Sequence, residues 1–129
     1  MAKERTLGKH ERLKSKKAIG QLFSEGKKLQ AAPLRVLYTL KKRSDHAALL
    51  FGAGVSAKTF KKSVDRNRIK RLIREAYRLQ KSSLKEKVAA NNIELNVFFI
   101  YTATALTEYT EVYKKVGQLL AKLNKLVDE

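Results

Sequence analysis

Between Val64 and Lys81 the chain reads VDRNRIKRLIREAYRLQK, and the spacing within this stretch restricts the fold more than any other. Laid on a helix at about 100° per residue, starting from Arg66, the residues Ile69, Leu72, Ile73, Ala76 and Leu79 fall between roughly 220° and 340°. Arg66, Asn67, Lys70, Arg71, Arg74 and Arg78 fall between roughly 0° and 140°. A helix with one apolar stripe has to dock that stripe on a core, whereas a disordered basic tail keeps no such register. Asp65 is expected to cap its start, because a carboxylate there accepts unpaired backbone N–H groups. An ordinary solvated helix face mixes lysine with glutamate. Here Glu75 stands alone among the arginines and lysines, so the cationic face reads as a binding surface.

Composition extends that reading. Lysine and arginine number 29 against 12 acids, leaving +17 over 129 residues. Charge this lopsided calls for a polyanion, and nucleic acid is the default partner. A membrane partner is set aside, since no long apolar run exists and the basic residues are not gathered at one terminus. Residues of apolar type make up 43%, enough for one core in a single domain spanning 1–129. There is no cysteine, which removes disulfides and thiolate chemistry. The N-terminus lacks a secretory apolar region, so a cytoplasmic protein is expected.

The remaining elements follow from periodicity. Residues 1–12 are polar and are expected to form a mobile arm. A short helix should follow, capped by Ser15 and closed at Gly26, with Ala18, Ile19, Leu22 and Phe23 as its stripe. KKLQAAP is weakly extended, and LRVLYTLK alternates, with Leu34, Val36, Tyr38 and Leu40 on one side and Leu37 as its exception. KRSD reads as a hairpin turn and AALLFGAGVS as the returning strand, where Gly52 and Gly54 permit a bulge or a close approach. KSSLKEKVAANN reads as a connection, and IELNVFFIYT as a central strand covered on both faces. The last segment is an amphipathic helix whose stripe is Val112, Tyr113, Val116, Leu119, Leu120 and Leu123. The whole is α+β, a small sheet with helices packed on it.

Catalytic machinery is not evident. The two histidines, His10 and His46, lie in the N-terminal arm and the hairpin turn, each without a nearby ligand or base in sequence. No paired carboxylates, nucleophile elbow or phosphate-cradling glycine loop occurs, so no catalytic residue and no metal ligand is assigned. A chain of this kind binds rather than cuts.

Arg66-Asn67-Arg68, followed by Lys70, Arg71, Arg74, Glu75 and Arg78, resembles the signature helix of the bacterial ribonuclease P protein subunit family. The likeness runs over nearly the whole chain: RLKSKKAIGQLFSEGKK, VLYTL and FGAGVSAK are similar to the family's N-terminal segment and its second and third strands. The resemblance implies an αβββαβα domain, ribosomal-protein-S5-domain-2-like, with a four-stranded sheet and a left-handed crossover, an exception to the usual hand. It also implies a function. The family's protein supports a large catalytic RNA that removes the 5′ leader of precursor tRNA, using Mg²⁺ held mainly by RNA, and the protein alone is not expected to bind a cofactor or catalyse.

Two surfaces are implied. Arg66, Asn67, Arg68, Lys70, Arg71, Arg74 and Arg78 would meet the catalytic RNA. Ile19, Phe23, Val36 and Tyr38, with Ser56 and Lys58 at the edge, would line a cleft for the single-stranded leader, where aromatic rings stack on bases of any sequence. Phe23 has two readings, cleft or core. The chain departs from the family pattern at Ile19, where an aromatic is usual, at Ala57-Lys58 in place of paired lysines, and in a KTFKKSVD loop one residue longer. A ribosomal or general RNA-binding protein without a processing role is the alternative. A helix-turn-helix DNA binder is disfavoured, because FGAGVS reads as strand where a helix would be needed.

Overall fold

A computed structural model describes residues 11–13, 15–42 and 47–128. His10, His46, most of the KRSD turn and residues 1–10 of the expected arm lie outside the described residues. In chain order the elements are α1 (Lys16–Glu25), β1 (Lys27–Ala31), β2 (Leu34–Lys41), β3 (Ala48–Val55), α2 (Ser63–Gln80), α3 (Ser82–Ala90), β4 (Glu94–Tyr101) and α4 (Tyr109–Asp128). The sheet order is β1-β2-β4-β3. β1 and β4 both run antiparallel to β2, and β3 runs parallel to β4.

β4 is the centre, as its apolar run requires. Leu95, Val97, Phe99 and Tyr101 are buried on one face, while Asn96, Phe98 and Ile100 are half-buried on the other. The first face carries the main core. Ile69, Ile73, Ala76 and Tyr77 of α2 and Val112, Val116, Leu119, Leu120, Leu123 and Val127 of α4 close over it. Phe51 stacks on Tyr77, ring centroids 4.1 Å apart, so β3 and α2 are joined at the heart of this layer. The opposite face is thinly covered: α1 lays only Leu22 fully inward, against Leu37 and Leu13. Leu37, the exception in its strand, belongs to this second cluster. No described helix is long and apolar enough to cross a membrane.

The fold corrects several expectations. β2 and β3 do not form a hairpin, because β4 lies between them and takes the hydrogen bonds of both. KSSLKEKVAANN is not a plain connection but carries α3, with Leu84 and Val88 buried one turn apart. Lys81 keeps right-handed helical angles between α2 and α3, so the chain barely breaks. Tyr113 sits in the expected stripe of α4 yet is exposed. Ser15 caps α1, its hydroxyl accepting from the Ala18 N–H at 3.2 Å. Gly26 closes that helix in an extended conformation rather than a left-handed one; a Cβ there would strike the Leu22 carbonyl oxygen.

The N-terminal segment is also anchored further than expected. Glu11 and Arg12 fall within the expected mobile arm, but Arg12 bridges Phe51 in parallel and the Leu13 N–H donates to the Phe51 carbonyl at 2.7 Å. Glu11 is buried beside Lys81, whose Nζ donates to both carboxylate oxygens at 2.9 and 3.0 Å.

Candidate nucleic-acid interface

α2 begins at Ser63 with Lys62 as its cap, three residues ahead of the expected start, and Asp65 lies inside the first turn. There its carboxylate still faces the positive end of the helix dipole. The cause of the early start is the loop before it. Phe60 is buried against Tyr101, ring centroids 5.8 Å apart, and its N–H donates to the Ser56 carbonyl at 3.0 Å. Arg66 Nη1 then donates to the carbonyls of Phe60 and Lys61 at 2.7 and 2.8 Å. Arg66 therefore clamps the loop as well as presenting charge. Ser56 accepts the Lys58 N–H on its hydroxyl at 3.2 Å, and Lys58, Lys61 and Lys62 project into solvent around the helix start.

The rest of the face divides by partner. Asn67, Arg68, Arg71 and Arg74 are exposed, while Arg66, Lys70 and Arg78 are half-buried. Arg78 is held in a two-point pair with Glu75, its Nε donating to Oε2 at 3.1 Å and its Nη2 to Oε1. That hydrogen bond, ahead of simple charge attraction, holds the Glu75 carboxyl below its ordinary range. Among the described residues, Arg68, Lys70, Arg71 and Arg74 form no ion pair. Cations left unpaired on one face repel one another until an anion arrives.

The second surface is the groove between α1 and the thinly covered sheet face. Phe23 is 56% exposed and meets Phe98 edge-on, ring centroids 5.6 Å apart. Phe98 lies over β3 where Gly52 and Gly54 leave room: a Cβ at either would come within 2.6 to 2.9 Å of its ring. The glycines serve close approach, not a bulge. Phe23 is thus a groove residue and not core, and Ile19 packs half-buried beside Leu22 and Leu37.

Val36 and Tyr38 do not join them. Register pairs Val36 with Phe99 and Tyr38 with Val97, and all four are buried on the opposite face, in the main core. Their expected role in the cleft is corrected: alternation along β2 sends Leu37, not its neighbours, toward α1. The residues missed were Leu37 and Phe98, and the irregularity of Leu37 in its strand was the available signal. Ser56 and Lys58 lie exposed past the end of β3. Between the groove and α2 sits a pocket of about 360 Å³, lined by Arg12, Ile19, Gly52, Lys70, Arg74 and Phe98 among others. Among the described residues no three of His, Asp and Glu gather as a metal cage requires.

Comparison with known proteins agrees with this arrangement. The family model for Ribonuclease P matches residues 7–124. A ribonuclease P protein component of Porphyromonas gingivalis is 34% identical over 119 residues, covering 91% of this chain and 85% of that protein. One from Chlorobaculum tepidum is 36% identical over 101 residues, covering 71% and 64%. The Staphylococcus aureus RNase P protein superposes with a TM-score of 0.67 at 23% identity, covering 92% of this chain and 99% of its own. The Thermotoga maritima RNase P protein superposes with a TM-score of 0.66 at 26% identity, covering 87% and 96%. With the signature helix, the sheet order and the match over nearly its whole length in agreement, the chain belongs to the ribonuclease P protein family.

Proposed function

We propose that this chain is the protein subunit of a ribonuclease P ribonucleoprotein, and that it binds both the catalytic RNA and the single-stranded 5′ leader of precursor tRNA. The observation that carries the reading is the face of α2, where Arg68, Lys70, Arg71 and Arg74 stand without acidic partners among the described residues. Such a face matches an RNA backbone, whose condensed counterions are released as phosphates are neutralised. The groove of Phe23, Phe98 and Ile19 suits unpaired nucleotides, because a ring stacks on any base. Hydrolysis belongs to the RNA with its Mg²⁺, the protein supplying grip and support, and the assembly works in the cytoplasm.

The test is reconstitution at low Mg²⁺ with precursor tRNA. RNA-free protein should leave the substrate intact, the RNA alone should work poorly, and the two together should release the leader at the mature 5′ end. Correct cleavage by RNA-free protein would overturn the division of labour. Failure to stimulate the cognate RNA would instead favour an RNA-binding protein without a processing role.

A further inference from the structure

We propose that Glu11 is a positioning residue for RNA binding: its buried pair with Lys81 holds Arg12 in the pocket shared with Lys70 and Arg74, where the three cations receive a phosphodiester. The proposal rests on the reading of α2 as an RNA-binding face. It adds a site at the junction between that face and the α1 groove, and a residue that builds it.

Glu11 has 3₁₀ conformation, Arg12 bridges Phe51 of β3, and burial alternates along the three residues: Glu11 buried, Arg12 exposed, Leu13 buried. Anchoring the residues on either side of Arg12 holds its backbone, and with it the direction in which its side chain leaves the chain. Both are fixed. Leu13 is tied by its N–H to Phe51 and by its side chain to Leu22 and Leu37. Glu11 is held by Lys81 Nζ at 2.9 and 3.0 Å and by Lys85 Nζ at 2.9 Å.

Lys81 is fully buried, a costly placement for an ammonium. Buried ion pairs recover their desolvation cost poorly, and an apolar pair of the same shape stabilises a fold as well or better. What the pair supplies is direction. Arg12 itself has no hydrogen bond or ion pair among the described residues, so its placement comes from its backbone anchors. It opens onto the pocket of about 360 Å³ with Lys70 and Arg74, over a floor of Gly52 and Phe98. Three cations on one pocket, with Glu11 already neutralised by two lysines, make a phosphate-seeking site.

The experiment compares full-length wild type with Arg12→Ala, Glu11→Gln, the Glu11→Gln/Arg12→Ala double variant, and Arg74→Ala as reference. Each is titrated over a range of salt against the catalytic RNA, and as holoenzyme against precursor tRNA with and without its leader. Arg12→Ala should weaken at least one of these by on the order of tenfold and lower the salt slope by about one. Loss in assembly assigns the phosphate to the catalytic RNA; loss confined to leader-bearing substrate assigns it to the leader.

Glu11→Gln should cause a similar loss, and the double variant should bind no worse than Arg12→Ala alone. Because Glu11→Gln strands a buried charge, Glu11→Gln/Lys81→Met is run beside it: thermal stability should return while RNA affinity stays low. Additive losses, or full affinity in the Lys81→Met double variant, would reduce Glu11 to a structural role. Arg12→Ala binding like wild type while Arg74→Ala weakens would remove the site and leave the α2 reading standing. Wild-type binding by both would remove the two together.

Discussion

Phe23 stands edge-on to Phe98, ring centroids 5.6 Å apart, with one ring more than half exposed on α1 and the other lying on the glycines of β3. The pair is the aromatic content of the groove, and it gives the first prediction. Phe23→Ala should weaken holoenzyme binding of precursor tRNA by about 1–3 kcal/mol while leaving mature tRNA almost unaffected. Its cost in stability should stay well under that of a core aromatic. Tyr38→Ala should do the reverse, destabilising the fold by about 3–5 kcal/mol through its loss from the main core. Denaturant melts beside binding curves for precursor and mature tRNA decide this; equal effects on leader-bearing and mature tRNA by Phe23→Ala would exclude it from the leader site.

Arg66 and Arg74 should separate clamp from contact. Arg74 is exposed and carries no ion pair among the described residues, so Arg74→Ala should lower the salt slope of RNA assembly by up to about one and leave the melting temperature unchanged. Arg66 donates to the carbonyls of Phe60 and Lys61. Arg66→Ala should therefore cost about 1–2 kcal/mol of stability besides any RNA affinity, since both carbonyls lose a charged donor. Arg66→Lys keeps the charge but not the planar fork, and should recover only part of it. A melt of Arg66→Ala that overlays wild type would refute the clamp.

Glu75 restrains the charge of the α2 face by occupying Arg78. Glu75→Gln removes the carboxylate that pairs with Arg78, and should tighten RNA assembly at low salt with a steeper salt dependence. The same carboxyl is held below its ordinary range by the Arg78 hydrogen bond, so its contribution is present above about pH 4.5 and fades as pH falls through the lowered value. Unchanged binding in Glu75→Gln across a salt titration would show that Arg78 takes no part.

Tyr77 contributes to the alkaline limit. Burial first, and then the charge of Glu11, pushes its phenol far above the ordinary value near 10. A group raised on folding stabilises fully below its unfolded value and loses that contribution as pH rises. Stability should fall as pH climbs through about 10, and Tyr77→Phe should flatten that limb relative to wild type. Urea melts at pH 8, 9.5 and 10.5, or thereabouts, make the comparison; parallel curves for both proteins would contradict it.

Much of this architecture was legible in spacing. The stripes of α1, α2 and α4 and the central run of β4 follow from period alone. What spacing cannot supply is the partner. Alternation in β2 correctly grouped Val36 with Tyr38, but which helix covers that group depends on the path of the chain, and α4 covers it rather than α1. The hairpin failed for the same reason: adjacency favoured β3 beside β2, and β4 intervened from far along the sequence. α3 was hidden because neither glycine nor proline marks the joint at Lys81, and Arg66 was seen only as charge because its acceptors are backbone carbonyls, which leave no trace in composition.

The sheet order also sets a sequence of events. On a ribosome, β2 and β3 are complete long before β4, yet each gains its central neighbour only when Glu94–Tyr101 has emerged. Until then the growing chain holds two strands with open edges and a cationic helix with only β3 to lie on. Sheet closure across such separations is slow, and the waiting intermediate is exposed to wrong pairing. The nascent protein is thus committed to its native layers late, within reach of the polyanions that surround every ribosome.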